Sequence, residues 1–167
     1  LGYVGEPKSW ESVAIHTGDT GHIDPDGYLH ISGRIKNVLI SSYGRNINPE
    51  WVESELLGFA QIAECVVFGD AKPYCVALIS VRDPTLTDNK IQTLVDTANS
   101  QLPDYARIAS WARLSEPLAD QSQLVTENGR PKRDAIFTRY RNQIEDLYPT
   151  NVYAEKDLYS KTKVQNR

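Results

Sequence analysis

The chain of 167 residues has no methionine, only two cysteines, no long apolar run and no surplus of basic charge. Each shortage excludes a class. No stretch approaches the roughly 20 consecutive apolar residues that a helix needs to cross a bilayer, and no secretory leader is visible. A formal net charge of −4 argues against attraction of the whole protein to nucleic acid. Two cysteines are too few for a disulfide framework. Cys65 and Cys75 each stand in an apolar run, Cys65-Val66-Val67-Phe68 and Cys75-Val76-Ala77-Leu78-Ile79, so buried free thiols and a reducing, cytoplasmic setting are expected. His16, His22 and His30 lack the cysteine or carboxylate spacing that would complete a metal site. Asp24-x-Asp26-Gly27 lacks the later ligands of a calcium loop. There is no P-loop lysine followed by Ser or Thr, and no Ser-His-Asp pattern. Position 1 is leucine, and Leu1-Gly2-Tyr3-Val4-Gly5 reads as mid-domain sequence, so a piece of a longer chain is expected.

What is present suits one α+β domain with a β-rich segment ahead of it. A hydrophobic content of 40% is enough to build one packed core. Asp24-Pro25-Asp26-Gly27 predicts a tight turn, because Pro sets φ near −65° and Gly accepts positive φ. His22-Ile23 and Tyr28-Leu29-His30-Ile31 flank it as paired strands, with Gly33 expected to break the second. Val38-Leu39-Ile40 reads as a short strand and 41–46 as a loop. Asn48-Pro49-Glu50 predicts a helix start, with Asn48 as N-cap and Pro49 at the first helical position. Val52, Leu56 and Phe59 fall on its inner face. Residues 62–68 and 74–82 read as buried strands, and 87–101 as a helix with Ile91, Leu94, Val95, Ala98 and Leu102 inward. Leu102-Pro103-Asp104-Tyr105 ends that helix, and Ile108 to Leu114 reads as a further strand. Tyr105 and Trp111 are expected as core or edge aromatics. Asn128-Gly129 marks a turn, and a third helix from about Asp134 carries the stripe Ile136, Tyr140, Ile144 and Leu147. The expected domains are 1–34, the end of a larger domain; 35–147, a compact α+β domain with a small mixed sheet packed by helices; and 148–167, a tail holding Lys156, Lys161, Lys163 and Arg167.

Two clusters can carry chemistry. In His16-Thr17-Gly18-Asp19 the carboxylate of Asp19 can accept hydrogen bonds from two vicinal hydroxyls, and Gly18 allows close backbone approach. Arg34, 15 positions later, offers a planar fork for a hydroxyl or a phosphate. The second cluster, Val125-Thr126-Glu127-Asn128-Gly129-Arg130-Pro131-Lys132-Arg133, is a basic turn.

Taken together, Gly2-Tyr3-x-Gly5, the run from His16 to Leu29, Gly33-Arg34-Ile35-Lys36 and Gly44-x-Asn46-Ile47-x-Pro49-Glu50-x-Val52-Glu53 resemble acyl-CoA synthetases and their adenylate-forming relatives. The likeness covers about the first 60 positions, thins over 61–122 to Gly69-Asp70, Ala77-Leu78-Ile79 and Leu102-Pro103-x-Tyr105, and returns at 124–136. It implies ATP-dependent activation of a carboxylic acid as acyl-AMP, then transfer to a thiol, usually that of CoA. Asp19 and Arg34 would hold the ATP or AMP ribose, and Lys36 would be the pivot of the C-terminal domain. Gly44 would sit on the surface facing the thiol arm. Mg²⁺ would arrive with ATP and find no ligand in this segment. The family pattern Leu-Thr-x-x-Gly-Lys-x-x-Arg places Arg130 where the adenylation lysine stands. The departure leaves three readings: Arg130 is the cation, a shifted loop brings in Lys132, or adenylation is impaired. A fatty acid is the first choice of substrate. A ligase delivering to an acyl-carrier protein and a non-catalytic docking module are the alternatives. The expected partners are the acid, CoA or a carrier protein, and an N-terminal domain absent from this chain.

Overall fold

The computed structural model describes residues 16–148. The opening Leu1–Gly5 motif and the lysine-bearing tail lie outside the described residues. In chain order the elements are β1 (Asp19–Ile23), β2 (Leu29–Arg34), β3 (Leu39–Ile40), β4 (Asn46–Ile47), α1 (Pro49–Leu57), β5 (Ile62–Phe68), β6 (Cys75–Val81), α2 (Asp88–Gln101), β7 (Ile108–Arg113), α3 (Arg133–Arg139) and α4 (Arg141–Glu145). Among the described residues no helix is long and apolar enough to cross a membrane.

The core is a three-stranded sheet ordered β5-β6-β7, antiparallel between β5 and β6 and parallel between β6 and β7. The parallel pair requires a crossover, which α2 supplies. Strand residues point alternately to opposite faces, and both faces are apolar. Cys65, Val67, Cys75, Ala77 and Ile79 face α1 and α2 and pack with Val52, Leu56, Ile91 and Val95. Val66, Phe68, Val76 and Leu78 face the other way and pack with Ile136 and Ile144 of α3 and α4. This two-sided burial explains why 62–68 and 74–82 read as continuous apolar runs. Cys65 and Cys75 are free and buried, as the sequence implied. Trp111 packs at the edge of the first cluster, whereas Tyr105 is exposed.

The β1–β2 hairpin forms around the expected turn. Asp24 Oδ1 accepts the amides of Asp26 at 3.0 Å and Tyr28 at 2.8 Å, and Gly27 takes φ +89°. Gly33 does not break β2. It lies inside the strand opposite Thr20, beside a shift in register between Thr20 and Gly21. A Cβ at this position would collide with the Asn48 side-chain amide, and its φ of +153° also favours glycine. Asn48 itself departs from expectation. It occupies the N-cap position of α1, yet its side chain makes no capping bond. Instead Nδ2 donates to the Ser32 carbonyl, which seats the hairpin against the start of α1.

The third helix is also different from the expected single element. Backbone angles of φ −110° and ψ 21° at Tyr140 divide it into α3 and α4. The stripe survives the break: Ile136 and Ile144 are buried, and the Tyr140 hydroxyl accepts from Gln121 Nε2 at 3.0 Å. Tyr148, at the head of the expected tail, stacks on Tyr74 with ring centroids 5.2 Å apart. Burial pushes its phenol pKa upward.

Candidate functional site

The hairpin ends where its two strands bring position 19 opposite position 34. Arg34 Nε lies 2.8 Å from Asp19 Oδ1, and Arg34 Nη1 donates to the Thr17 carbonyl at 2.9 Å. Gly18, at φ +76°, turns its carbonyl toward the Ile35 amide 2.9 Å away. The acid and the guanidinium singled out from the sequence therefore meet at one end of the hairpin. Lys36 follows at once, in a 3-10 turn over Ile35–Asn37.

The second cluster forms its own small hairpin. Val125 bridges Pro131, the Thr126 amide donates to the Arg130 carbonyl at 2.8 Å, and Gly129 occupies the turn at φ +73°. Thr126 Oγ1 accepts the Arg130 amide at 3.0 Å. The Lys132 amide donates to the Leu124 carbonyl at 2.8 Å, and its own carbonyl accepts from Ile136 at the start of α3. Arg130 and Lys132 are both exposed side chains on a short, well-braced loop.

A cleft of about 1290 Å³ brings the two clusters together: Asp19, Arg34 and Lys36 on one side, Arg130 and Lys132 on the other. The cleft is open to solvent along one side rather than enclosed. Lys36, Arg130 and Lys132 form no ion pair among the described residues. Unpaired cations gathered in a cleft of a net acidic chain are suited to an anionic ligand. Arg34, by contrast, is already neutralised by Asp19, which suits it to fixing the second oxygen of that carboxylate for a hydroxyl donor.

Gly44 stands apart from this cleft. It occupies the turn between β3 and β4 at φ +73°, its amide donating to the Ser41 carbonyl at 2.8 Å, with open space where a Cβ would lie. Positive φ accounts for glycine here. The Arg45 guanidinium beside it sits 5.7 Å from the centre of the Tyr105 ring.

Sequence reasoning missed the third component of the site. Arg133 does not enter the cleft as a free cation. Its Nη2 lies 2.7 Å from Glu53 Oε2 and 4.0 Å from Glu50 Oε1, and its Nη1 donates to the Val67 carbonyl at 2.9 Å. Glu53 is buried, and its other oxygen accepts the Val67 amide at 2.7 Å. Burial pushes the Glu53 carboxyl pKa up, against the opposing pull of Arg133. Glu50 accepts a hydrogen bond from Asn37 Nδ2, and its Oε2 is buried without a partner among the described residues. In the sequence the i, i+3 spacing of Glu50 and Glu53 marks one helix face. Nothing local names an arginine 80 positions away as the partner of Glu53.

The chain is similar to known proteins in sequence and fold. The chain matches the family model described as AMP-binding enzyme C-terminal domain over residues 36–152. A long-chain-fatty-acid–CoA ligase of Mycobacterium tuberculosis is 39% identical over 90 residues, which is 54% of this chain and 15% of that protein. O-succinylbenzoate Coenzyme A synthetase from Bacillus subtilis, solved in complex with AMP, shares 28% identity at a TM-score of 0.54, covering 71% of this chain and 23% of the other. The adenylation domain of a carboxylate reductase from Mycobacterium chelonae shares the fold at a TM-score of 0.69, with 20% identity over 79% of this chain and 22% of its own length. The chain thus spans a minor part of the relatives it matches. With its two-faced sheet and a basic loop braced over a cleft, and with the family match running through both, the chain belongs to the AMP-binding enzyme C-terminal domain family.

Proposed function

We propose that this chain is the C-terminal part of an ATP-dependent enzyme that activates a carboxylic acid as acyl-AMP and passes the acyl group to CoA. One observation carries the reading: the Asp19–Arg34 pair, Lys36 and the Arg130–Lys132 loop share one cleft. In this reading residues 1–34 close a larger adenylation domain, 35–147 form the mobile domain, and 148–167 are a tail. Asp19, held by Arg34, accepts the ribose hydroxyls. Arg130 supplies positive charge as the carboxylate attacks the α-phosphate and pyrophosphate leaves. A fixed cation in a site emptied of water stabilises that developing charge without reorganisation. Lys36 is the pivot about which the domain turns before the thiol of CoA displaces AMP, and the Gly44 turn lines the path of the thiol arm. The ligase names among the relatives support a fatty acid as the substrate.

The experiment is ATP–pyrophosphate exchange and CoA consumption with fatty acids, using the protein that carries this chain behind its upstream domain. Acid-dependent exchange followed by CoA consumption is expected. Exchange without CoA consumption would replace CoA with a carrier protein. No exchange with any acid would leave a docking module. The 167-residue chain alone is expected to give no exchange.

A further inference from the structure

The 3-10 turn at Ile35–Asn37 and the basic loop at 126–132 are separated by some 90 positions of sequence, yet a short chain of polar contacts joins them. Asn37 donates to Glu50 on α1. Glu50 lies 4.0 Å from the guanidinium of Arg133, which Glu53 holds at 2.7 Å and the Val67 carbonyl at 2.9 Å. Arg133 is the first residue of α3 and directly follows Lys132. Its side chain is only 15% exposed, and that of Glu53 8%. A largely covered guanidinium with a carboxylate and a carbonyl fixed on it has one favourable position, because leaving either partner unpaired there is costly. We propose that Arg133 is a positioning residue that locks the Arg130–Lys132 loop to the turn bearing Lys36, through Glu53, Glu50 and Asn37, so that loop and turn move as one body.

Three features support a lock over a simple core ion pair. The pair is placed at the junction of the loop and α3, not in mid-element. Its carboxylates come from the helix that also touches the turn. Glu53 also accepts the Val67 amide at 2.7 Å, so Arg133 and Glu53 both bond to the backbone of Val67, on the central sheet. The loop thereby inherits the rigidity of the sheet, while among the described residues Asn37–Glu50 is the side-chain hydrogen bond that ties the turn to α1. A charge carried on such a loop keeps its distance from the turn whatever the hairpin does.

The test is hydrogen exchange on the 167-residue chain, with Arg133→Met, Arg133→Lys and Asn37→Ala. Exchange is compared in three segments: 35–41, 124–132 and the central strand 75–81. Arg133→Met is expected to speed exchange about tenfold in both 35–41 and 124–132, with 75–81 unchanged. Asn37→Ala removes only a half-buried contact and is expected to speed exchange in 124–132 as well as around itself. The double variant should add little to either single change, the mark of groups acting in one network. Arg133→Lys keeps the charge but not the two-pronged fork, and should restore only part of the protection. Loosening of 124–132 by Arg133→Met with 35–41 unmoved would overturn the lock, as would an Asn37→Ala effect confined to 35–41. If Arg133→Met does not fold, the Asn37→Ala comparison decides alone. A second arm rests on the proposed acid activation. In the longer enzyme Arg133→Met should slow acyl-AMP formation about tenfold or more while changing thioester formation from supplied acyl-AMP less than threefold. Equal losses in the two steps would overturn the proposal, whereas failure of the unmodified enzyme to exchange would count against the proposed activity and leave the exchange data to judge the lock.

Discussion

The hairpin and the three-stranded sheet are both β structure, but different forces hold them. In β5 and β6 most side chains are buried on one apolar face or the other, and β7 closes the sheet as an edge strand with Ile108 buried. In the hairpin, Ile23, Leu29 and Ile31 are 60–70% exposed. The sheet is held by burial and needs helices on both faces. The hairpin is held by its turn, its ladder and one amide from Asn48, and it offers an apolar face with no partner among the described residues. The cleft lies where these two regions meet, so one wall is fixed by a core and the other by a few polar contacts.

The sharpest contrast is in stability. Leu78→Ala, in the centre of the sheet and fully buried, is expected to cost about 2–5 kcal/mol in chemical denaturation. Ile31→Ala on the hairpin should stay within about 0.5 kcal/mol. A large loss at Ile31 would mean that the hairpin is buried against something in this chain.

Across the cleft, Arg130→Ala in the longer enzyme is expected to slow acyl-AMP formation on the order of 10²-fold, with little effect on thioester formation from supplied acyl-AMP. The same pattern from Lys132→Ala, with Arg130→Ala silent, would transfer the role to Lys132.

The thiols report the sheet directly. Burial pushes Cys75 up to about 12 and Cys65 well above its ordinary value. Neither should react with a thiol reagent in the folded chain near neutral pH, and both should react at once in denaturant. Fast reaction of the folded chain would show that the sheet opens readily.

Smallest of all is the pH response of the hairpin turn. His30, 2.7 Å away, and the Tyr28 amide hold the Asp24 carboxyl below its ordinary 3.8. Its contribution is complete above that value and fades as pH falls through the lowered one. The Tyr28 amide resonance should therefore shift in acid, and Asp24→Asn should abolish the shift without altering the sheet.

Periodicity made much of this fold legible. The apolar face of α2 from Ile91 to Ala98, the Pro49 start of α1 and the two buried strands can be read directly, since each depends on residues a few positions apart. The Asp24–Gly27 turn is legible for the same reason. The division at Tyr140 is not. The spacing Ile136, Tyr140, Ile144 reports which way side chains face, and that phase survives a local change in backbone angle. Gly33 reads as a breaker because the group packed against it, the Asn48 side chain at the start of α1, is not its neighbour in sequence. The turn at Leu118–Asp120 escaped notice because Glu64, on β5, accepts its amides at 2.7 and 2.8 Å.

By itself, then, the sequence determined most of the elements, their inward faces, and the acid, arginine and basic loop that invite a nucleotide. Those choices are local: turn chemistry, helix capping positions and side-chain alternation act over a few residues. Only the tertiary structure decided that Arg133 is bound inward while Arg130 and Lys132 remain free over the cleft. Three basic residues in four positions look equivalent in one dimension. They are told apart by a buried carboxylate 80 residues away that only folding brings within reach.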